Sequence, residues 1–591
     1  MFVVTDELAA LIQKAIEAAR DAGEISVSDE AISITLEVPR NKQHGDYSSN
    51  IALALKKATG IANSRELADK ILRYLPADPL IDRVEIAGPG FLNFYLKPSW
   101  LHDTLLTVEQ EDARYGTTAA RAGERILIEF VSANPTGPIS VVNGRAAALG
   151  DVLANLLAAQ GCEVGREFYV NDALNSTQLD IFARTVEFRY FELLGHPVHF
   201  PDAEGTPEPA ERGMDAFDQK QPLHFPKDGY RGEYVKDIAR QIVADEGARL
   251  TEWTDEERRA YFREATLKRM VNTQRVALEA FGINFDTWFY ESSLYDSGEV
   301  DRTIERLRER GYTYEDGGAL WLRSTALGDD KDRVLVRSTG KATYIAADSA
   351  YHADKFDRGY THLINIWGAD HHGYVARLKA GVAALGYCAD DLEIVLTQMV
   401  SLVRDGEAVI GGKRKGNVIE LKEDLVDDIG RDAARFYFLL NSYETPATVD
   451  VELARKQSND NPVYYVQYAH ARLCNIIRRS AELELALKPS KEVERHRLTH
   501  DAELDVLRKL ADYPGEVSAA ATGYAPHRLT RYAMELASLL NGFYENCRVI
   551  PGKEEPVEPE LSVARLSLVN GARIVLGNLL HLLGISAPER M

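Results

Sequence analysis

The sequence predicts an α/β fold built on a doubly wound parallel sheet of the Rossmann kind, with a smaller α/β module before it and an all-helical domain after it. Three observations carry that prediction. From residue 125 to about 420, short apolar runs alternate with stretches of helical periodicity, as in strands joined by crossover helices. Residues 1–105 hold helix and strand patterns of their own, and the polar stretch 106–124, ending in AARAGER, reads as a linker. After about 421 strand patterning stops and helical stretches dominate.

In the first module, TDELAALIQKAIEAARDAG reads as a helix, ISITLEV as a strand and RNKQHGDYSSN as a polar turn. A second helix follows, and Gly88, Pro89 and Gly90 bend the chain into the strand GFLNFYL. In the central region RILIEFV (125–131), EVGREFYV, ATYIAAD, HLINIWG and LEIVLTQM read as strands. Such a sheet binds its ligands beyond the strand C-termini. The stretch 196–232, rich in Pro, Gly, Asp and Lys, reads as an inserted surface excursion. In 421–591, segments such as PVYYVQYAHARLCNIIRRSAELELAL and LSVARLSLVNGARIVLGNLLHLLG read as the helices of a domain of about 170 residues.

Composition narrows the function classes. The chain has 591 residues, 45% hydrophobic and 27% charged, an ordinary globular balance. No apolar run approaches the roughly 18 residues that span a bilayer, and the acidic start MFVVTDELAA lacks the basic opening of a signal peptide; no membrane partner and a cytoplasmic location are the expectation. Cys162, Cys388, Cys474 and Cys547 form no CxxC pair or Cys/His cluster, so no structural zinc is expected. A net charge of −22 opposes diffuse attraction to nucleic acid, although a local basic face can still hold RNA.

Three turns at strand ends offer chemistry. PTGPISVVNGR (135–145) leads from the first strand into the helix AAALGDVLANLL through Ser140 and Asn143, the layout of an anion site at a helix N-terminus. WGADHHGYVARLK (367–379) combines Gly368 and Gly373 with Asp370, His371 and His372; small residues for close approach beside polar edges suit a nucleotide, and adjacent histidines lack metal-ligand spacing. VIGGKRKGN (409–417) crowds Lys413, Arg414 and Lys415 into a glycine-rich loop able to stabilise charge on a leaving polyphosphate. Glu129 sits near the end of the first predicted strand and Asn134 in the turn after it, while Tyr344 and Asp348 lie in TYIAAD; carboxylates at strand ends can receive a guanidinium, and pairing of Glu129 with a basic side chain and capping by Asp348 are the plain alternatives. On the helix 459–479, Tyr464, Tyr465, Tyr468, His470 and Arg472 precede Arg478 and Arg479, a mixture of core tyrosines and residues able to stack on RNA bases.

Taken in order, these segments resemble the arginyl-tRNA synthetases, class I aminoacyl-tRNA synthetases. HGDYSSNIAL and GPGFLNF are similar to the family's tRNA-contacting N-terminal domain, SANPTGP, YVNDALN and WGADHHGY to its Rossmann-like catalytic domain, and GRDAARFYFL with QSNDNPVYYVQYAHAR to the start of its helical anticodon-binding domain. The resemblance implies a reaction: arginine and ATP, with Mg2+, form an arginyl-adenylate that tRNA(Arg) then consumes, on an enzyme expected to be a monomer. It implies that Glu129, Asn134, Tyr344 and Asp348 hold arginine, that Gly368, Asp370, His371 and His372 lie at ATP, and that Phe91 and Asn93 meet the tRNA D-loop, with Tyr468 and Arg472 as further tRNA contacts.

Both class I signatures are altered. His-x-Gly-His stands here as Ser140, Val141, Val142 and Asn143, and Lys-Met-Ser-Lys as Ile410, Gly411, Gly412 and Lys413, followed by Arg414 and Lys415. In one reading Ser140, Asn143, Lys413 and Lys415 still serve catalysis. In the other, the chain is a tRNA-binding relative that has lost amino-acid activation. The first is preferred, because Glu129, Tyr344, Asp348 and the WGADHHGY turn have no use in tRNA binding alone.

Overall fold

The structure is a computed structural model that describes residues 4–27, 32–39, 41–173, 176–200, 223–409, 418–552 and 557–591. Five parallel strands form its central sheet: β1 (Arg125–Glu129), β2 (Glu163–Val170), β3 (Thr287–Tyr290), β4 (His362–Gly368) and β5 (Leu392–Thr397). Their order is β5-β4-β1-β2-β3, so the winding reverses between β1 and β4 and opens a crevice at their C-terminal ends. Ile126, Leu127 and Ile128 of β1 are fully buried, as strands covered on both faces must be. Helix α1 (Val141–Ala159) packs through small residues; at Gly150 even a Cβ would lie 2.3 Å from the Phe130 ring.

Several elements depart from the sequence reading. TYIAAD is not a strand but the start of helix α2 (Tyr344–Asp357), whose Ala346, Ala347, Ala350 and Ala353 are buried at helical spacing; a short apolar run alone does not separate the two states. β3, four residues of which three are aromatic, went unread, as did an antiparallel sheet of Thr313–Asp316, Ala319–Leu322 and Arg333–Val336. In the N-terminal module ISITLEV pairs only through Leu36–Glu37, whereas Tyr47–Ser49, placed in the polar turn, is a strand. A strand also occurs after 421: Ala447–Asp450 pairs in parallel with Val400–Arg404. Most of the excursion, 201–222, lies outside the described residues.

The stretch read as a linker belongs partly to a helix, Pro98–Glu111, whose Leu105 and Val108 are buried against the helices Asp501–Thr522 and Pro559–Leu582. Tyr115 then donates to the Leu510 carbonyl at 2.9 Å. The N-terminal module docks on the same helical domain: Tyr47 Oη donates to Asp512 Oδ1 at 2.8 Å and Arg508 Nε to Asp46 Oδ1 at 3.1 Å. The helix Pro559–Leu582 does reach a mean hydropathy of 1.2 over 18 residues, but 67% of that window is buried inside the protein. Its apolarity is that of a core helix.

One buried guanidinium joins these parts. Arg435 is fully buried, and its Nη2 donates to Asp151 Oδ2 of α1 at 2.6 Å and to the Leu583 carbonyl at 3.0 Å. Asn155, one turn along α1, donates to the Leu582 carbonyl at 3.0 Å. Removing one partner of a buried pair costs about 3–5 kcal/mol, because a charge is stranded. Asp151→Ala should therefore lower the urea midpoint sharply, and Arg435→Met should lower it less, because Asp151 keeps a second cation in Arg166 at 3.3 Å; an Asp151→Ala midpoint equal to wild type would contradict the role given to this pair.

Candidate active site

Beyond the C-terminal ends of β1 and β2 lies a cleft of about 250 Å³ lined by Asn134, Pro135, Thr136, Asn171, Ser176, Thr177, Gln178 and Tyr344. The chain reaches it through a strained corner. β1 ends at Glu129, two residues earlier than its apolar pattern suggests, and Val131 and Ser132 adopt φ of 69° and 39°. A β-branched residue in the left-handed region costs on the order of 1–3 kcal/mol and persists only where its surroundings fix it. Here Ser132 Oγ donates to Glu129 Oε1 at 2.9 Å and accepts the Tyr169 N–H at 3.1 Å. The next turn is held from below: buried Gln274 donates to the carbonyls of Asn134 at 3.1 Å and Gly137 at 2.8 Å. Asn134 itself donates to Gln178 at 3.1 Å, and Tyr344 is 61% exposed at the opening.

One helical turn beyond Tyr344, behind the residues that line the cleft, acidic side chains gather. Glu129 is buried and pairs with the fully buried Lys355 of α2 at 2.6 Å, which also donates to Asn365 at 3.2 Å; the plain alternative read from the sequence for this carboxylate is the arrangement found. Asp348 is not a helix cap. It lies in the second turn of α2, where its Oδ2 accepts from Tyr374, and Oδ1 has no hydrogen-bond partner among the described residues. Burial, with the charge of Glu129 added, pushes its carboxyl up to about 6 against the opposing bond from Tyr374. The sequence reading missed Glu291, directly after β3. It is buried, and burial, then the charge of Asp348, raises it to about 7. Its one legible signal was its place: a carboxylate at the end of a strand, as in Glu129. Three carboxylates thus converge with Lys355 as the cation among them, an arrangement that favours a further cation as ligand.

Across the crevice, the N-terminus of α1 carries Ser140 and Asn143. They bond to each other, the Asn143 amide oxygen accepting from the Ser140 N–H at 3.2 Å and hydroxyl at 2.8 Å. That leaves the Asn143 amide NH2 to donate outward. Val142 is 47% exposed and fills no core position. Ser140 bridges to Glu420, and the Leu421 N–H donates to the Ile139 carbonyl at 2.8 Å. The chain that follows the basic loop is therefore fastened to the helix N-terminus. Lys413, Arg414 and Lys415 themselves lie outside the described residues, as do Leu174 and Asn175 of YVNDALN. Gly368 ends β4, and Asp370, His371 and His372 are exposed in the 3-10 turn Ala369–Tyr374, which packs on β4, β5 and the helix Val375–Ala384.

The residues expected at RNA fall into two groups. Phe91 is partly exposed, but Asn93 is buried and its amide oxygen accepts from Ser48 at 2.7 Å. Tyr468 is 42% exposed and stacks on Tyr464 with ring centroids 6.0 Å apart. Arg472 lies over the Tyr544 ring at 4.1 Å, and His470 is buried against the Pro588 carbonyl at 3.0 Å.

Comparison with known proteins covers the chain from end to end. Residues 6–96 match the arginyl tRNA synthetase N terminal domain, 104–439 the catalytic domain of tRNA synthetases class I (R), and 466–591 the DALR anticodon binding domain. The arginine–tRNA ligase of Heliobacterium modesticaldum is 45% identical over 588 residues, 99% of this chain and 98% of that one. That of Carboxydothermus hydrogenoformans is also 45% identical over 588 residues, covering 100% and 99%. The fold is similar to the Thermus thermophilus arginyl-tRNA synthetase structure, with a TM-score of 0.70 at 21% identity, covering 99% of this chain and 100% of that one.

The pocket's charge sets a pH dependence for any guanidinium ligand. Such a cation stays charged throughout, and it stabilises the ionised forms of Asp348 and Glu291, whose carboxyls titrate near 6 and 7. Affinity should therefore be full above about pH 8 and fall as pH drops through 7 and 6, by about tenfold or more at pH 5. Calorimetric titration with arginine across that range checks it; an affinity flat from pH 8 to 5 would contradict the acidic pocket.

Proposed function

Because the chain belongs to the arginyl-tRNA synthetase family, it attaches arginine to tRNA in an ATP-dependent reaction, and we propose how its own residues do so. The guanidinium of arginine enters the acidic cluster, where the free oxygen of Asp348 and the carboxylate of Glu291 receive it. Glu129, already bonded to Lys355 and Ser132, adds negative potential and a remaining lone pair. A planar fork of donors suits several separated acceptors as a single ammonium does not, which favours arginine over lysine. Asn134 and Tyr344 hold the amino-acid end of the substrate at the cleft mouth.

ATP enters as its magnesium complex against the 368–372 turn, with Gly368 allowing close approach and Asp370, His371 and His372 at its polar edge. Its phosphates lie toward the N-terminus of α1, where Asn143 donates and Ser140 fixes the Asn143 amide. The arginine carboxylate attacks the α-phosphorus, pyrophosphate leaves, and Lys413 and Lys415 neutralise the charge developing on it. The terminal ribose hydroxyl of tRNA then attacks the arginyl carbonyl and releases AMP. Residues 1–105 and 421–591 hold the tRNA, through Phe91 and, in the helical domain, through Tyr468 and Arg472; buried Asn93 serves by shaping the strand beside Phe91. We place this activity in the cytoplasm, in a monomer without a membrane partner, with the catalytic domain spanning 125–420.

The observation that carries the active reading is the carboxylate pocket left short of cations at the sheet's C-terminal edge, which a protein that only binds tRNA would not need. Charging of tRNA with labelled arginine tests it, with lysine as control. Asp348→Ala should raise the arginine KM by about a hundredfold or more and leave the tRNA Kd nearly unchanged; Lys413→Ala with Lys415→Ala should abolish charging. Equal losses toward arginine and tRNA in Asp348→Ala would overturn the assignment, and tRNA binding without charging by the wild type would favour a chain that has lost activation.

A further inference from the structure

Tyr374 closes the 368–374 turn and yet reaches back to the amino-acid side of the cleft, donating its hydroxyl hydrogen to Asp348 Oδ2. The hydroxyl thus occupies one carboxylate oxygen of Asp348 and leaves Oδ1 without a hydrogen-bond partner among the described residues. The ring is held on two sides. Trp367, at the end of β4, meets it edge-on with centroids 6.1 Å apart, and the Arg377 guanidinium lies 4.8 Å over its face. Arg377 makes no ion pair among the described residues, and its buried Nε has no hydrogen-bond partner there.

We propose that Tyr374 is a positioning residue for arginine specificity: it fixes the rotation of the Asp348 carboxylate so that the second oxygen faces the guanidinium. The proposal rests on the reading that Asp348 receives arginine. A carboxylate on a helix turns about two side-chain bonds, and a fork of N–H donors rewards one orientation above others. A donor that holds one oxygen from outside the pocket selects that orientation before the substrate arrives. The same bond stabilises the ionised form of Asp348 in a crowded field. Facing that carboxyl are Glu129 from β1, Glu291 and Tyr295 from the segment after β3, Tyr169 from β2, Lys355 from its own helix, Tyr374 from the 3-10 turn and Arg377 from the helix Val375–Ala384. Of these, burial and the two glutamates oppose ionisation, and Tyr374, Lys355 and Arg377 support it.

Tyr374→Phe keeps the ring, its packing on Trp367 and its contact with Arg377, and removes the hydroxyl alone. The expected result in steady-state charging is an arginine KM about tenfold higher, with kcat, the ATP KM and the tRNA KM within about twofold of wild type. The midpoint of the pH dependence of the arginine KM should move upward by about half a unit or more, because Asp348 loses a bond that favours its charge. Arg377→Met, which leaves the hydroxyl but frees the ring, should move both quantities in the same direction by less. A uniform loss in all three KM values, or an unchanged arginine KM and midpoint in Tyr374→Phe, would overturn the proposal. Asp348→Asn measured alongside separates the two levels. If it leaves the arginine KM unchanged, the underlying reading of Asp348 fails; if it raises that KM while Tyr374→Phe does not, only the role of Tyr374 fails.

Discussion

Everything distinctive in this molecule follows from negative charge held at one end of a parallel sheet. Glu129 ends β1, Glu291 follows β3 and Asp348 comes from α2, so three separate elements deliver carboxylates to the same place, and Lys355 neutralises only part of that charge. Such a cluster is unstable as it stands: Asp348 and Glu291 rise to about 6 and 7 because burial and mutual repulsion penalise their ionised forms. The strained corner at Val131 and Ser132 belongs to the same picture. It turns the chain sharply after Glu129, and the Ser132 hydroxyl ties that turn to both Glu129 and Tyr169. A ligand that brings its own delocalised cation would relieve the repulsion and gain from it, and the proposed choice of arginine rests on that.

Much of this was legible in the sequence, and the limits of legibility have physical causes. β1, β2, β4 and β5 were visible as apolar runs because parallel strands buried on both faces carry little else. β3 was not, since a threonine and three aromatic residues at a sheet edge resemble any amphipathic turn. α2 was mistaken for a strand because TYIAAD is too short to show a period, although the alanines beyond it do. The linker was misplaced because the apolar part of the buried face of Pro98–Glu111 is one stripe, Leu101, Leu105 and Val108, with His102 and Thr104 beside it, and its polar remainder looks like a connection. Asp348 and Tyr344 were singled out from a predicted strand that is a helix, and then by likeness to a family, whereas Glu291 needed three dimensions: nothing in TWFYESS says which way its carboxylate faces. Burial of Asn93 was likewise invisible in a strand that looked open on one side.

The altered signatures are less disruptive than their letters suggest. Ser140 and Asn143 form a closed cap that keeps one amide NH2 free to donate, and Val142 projects outward rather than into the core. The bridge from Ser140 to Glu420 means that the chain after the basic loop and the first signature are one mechanical unit. The buried Arg435–Asp151 pair extends that unit, through α1, to the last turns of the helical domain. The helix whose N-terminus carries Ser140 and Asn143 is thus the helix to which the C-terminal helical domain is bolted.

The most direct test is an experimentally determined structure with arginine and a non-hydrolysable ATP analogue bound. The account predicts the guanidinium in the acidic cluster, within hydrogen-bond distance of Asp348 Oδ1 and beside Glu291, with the arginine carboxylate directed toward the α-phosphorus near the N-terminus of α1. Arginine bound with its guanidinium elsewhere, or with Asp348 and Glu291 untouched and still sharing their repulsion, would contradict it.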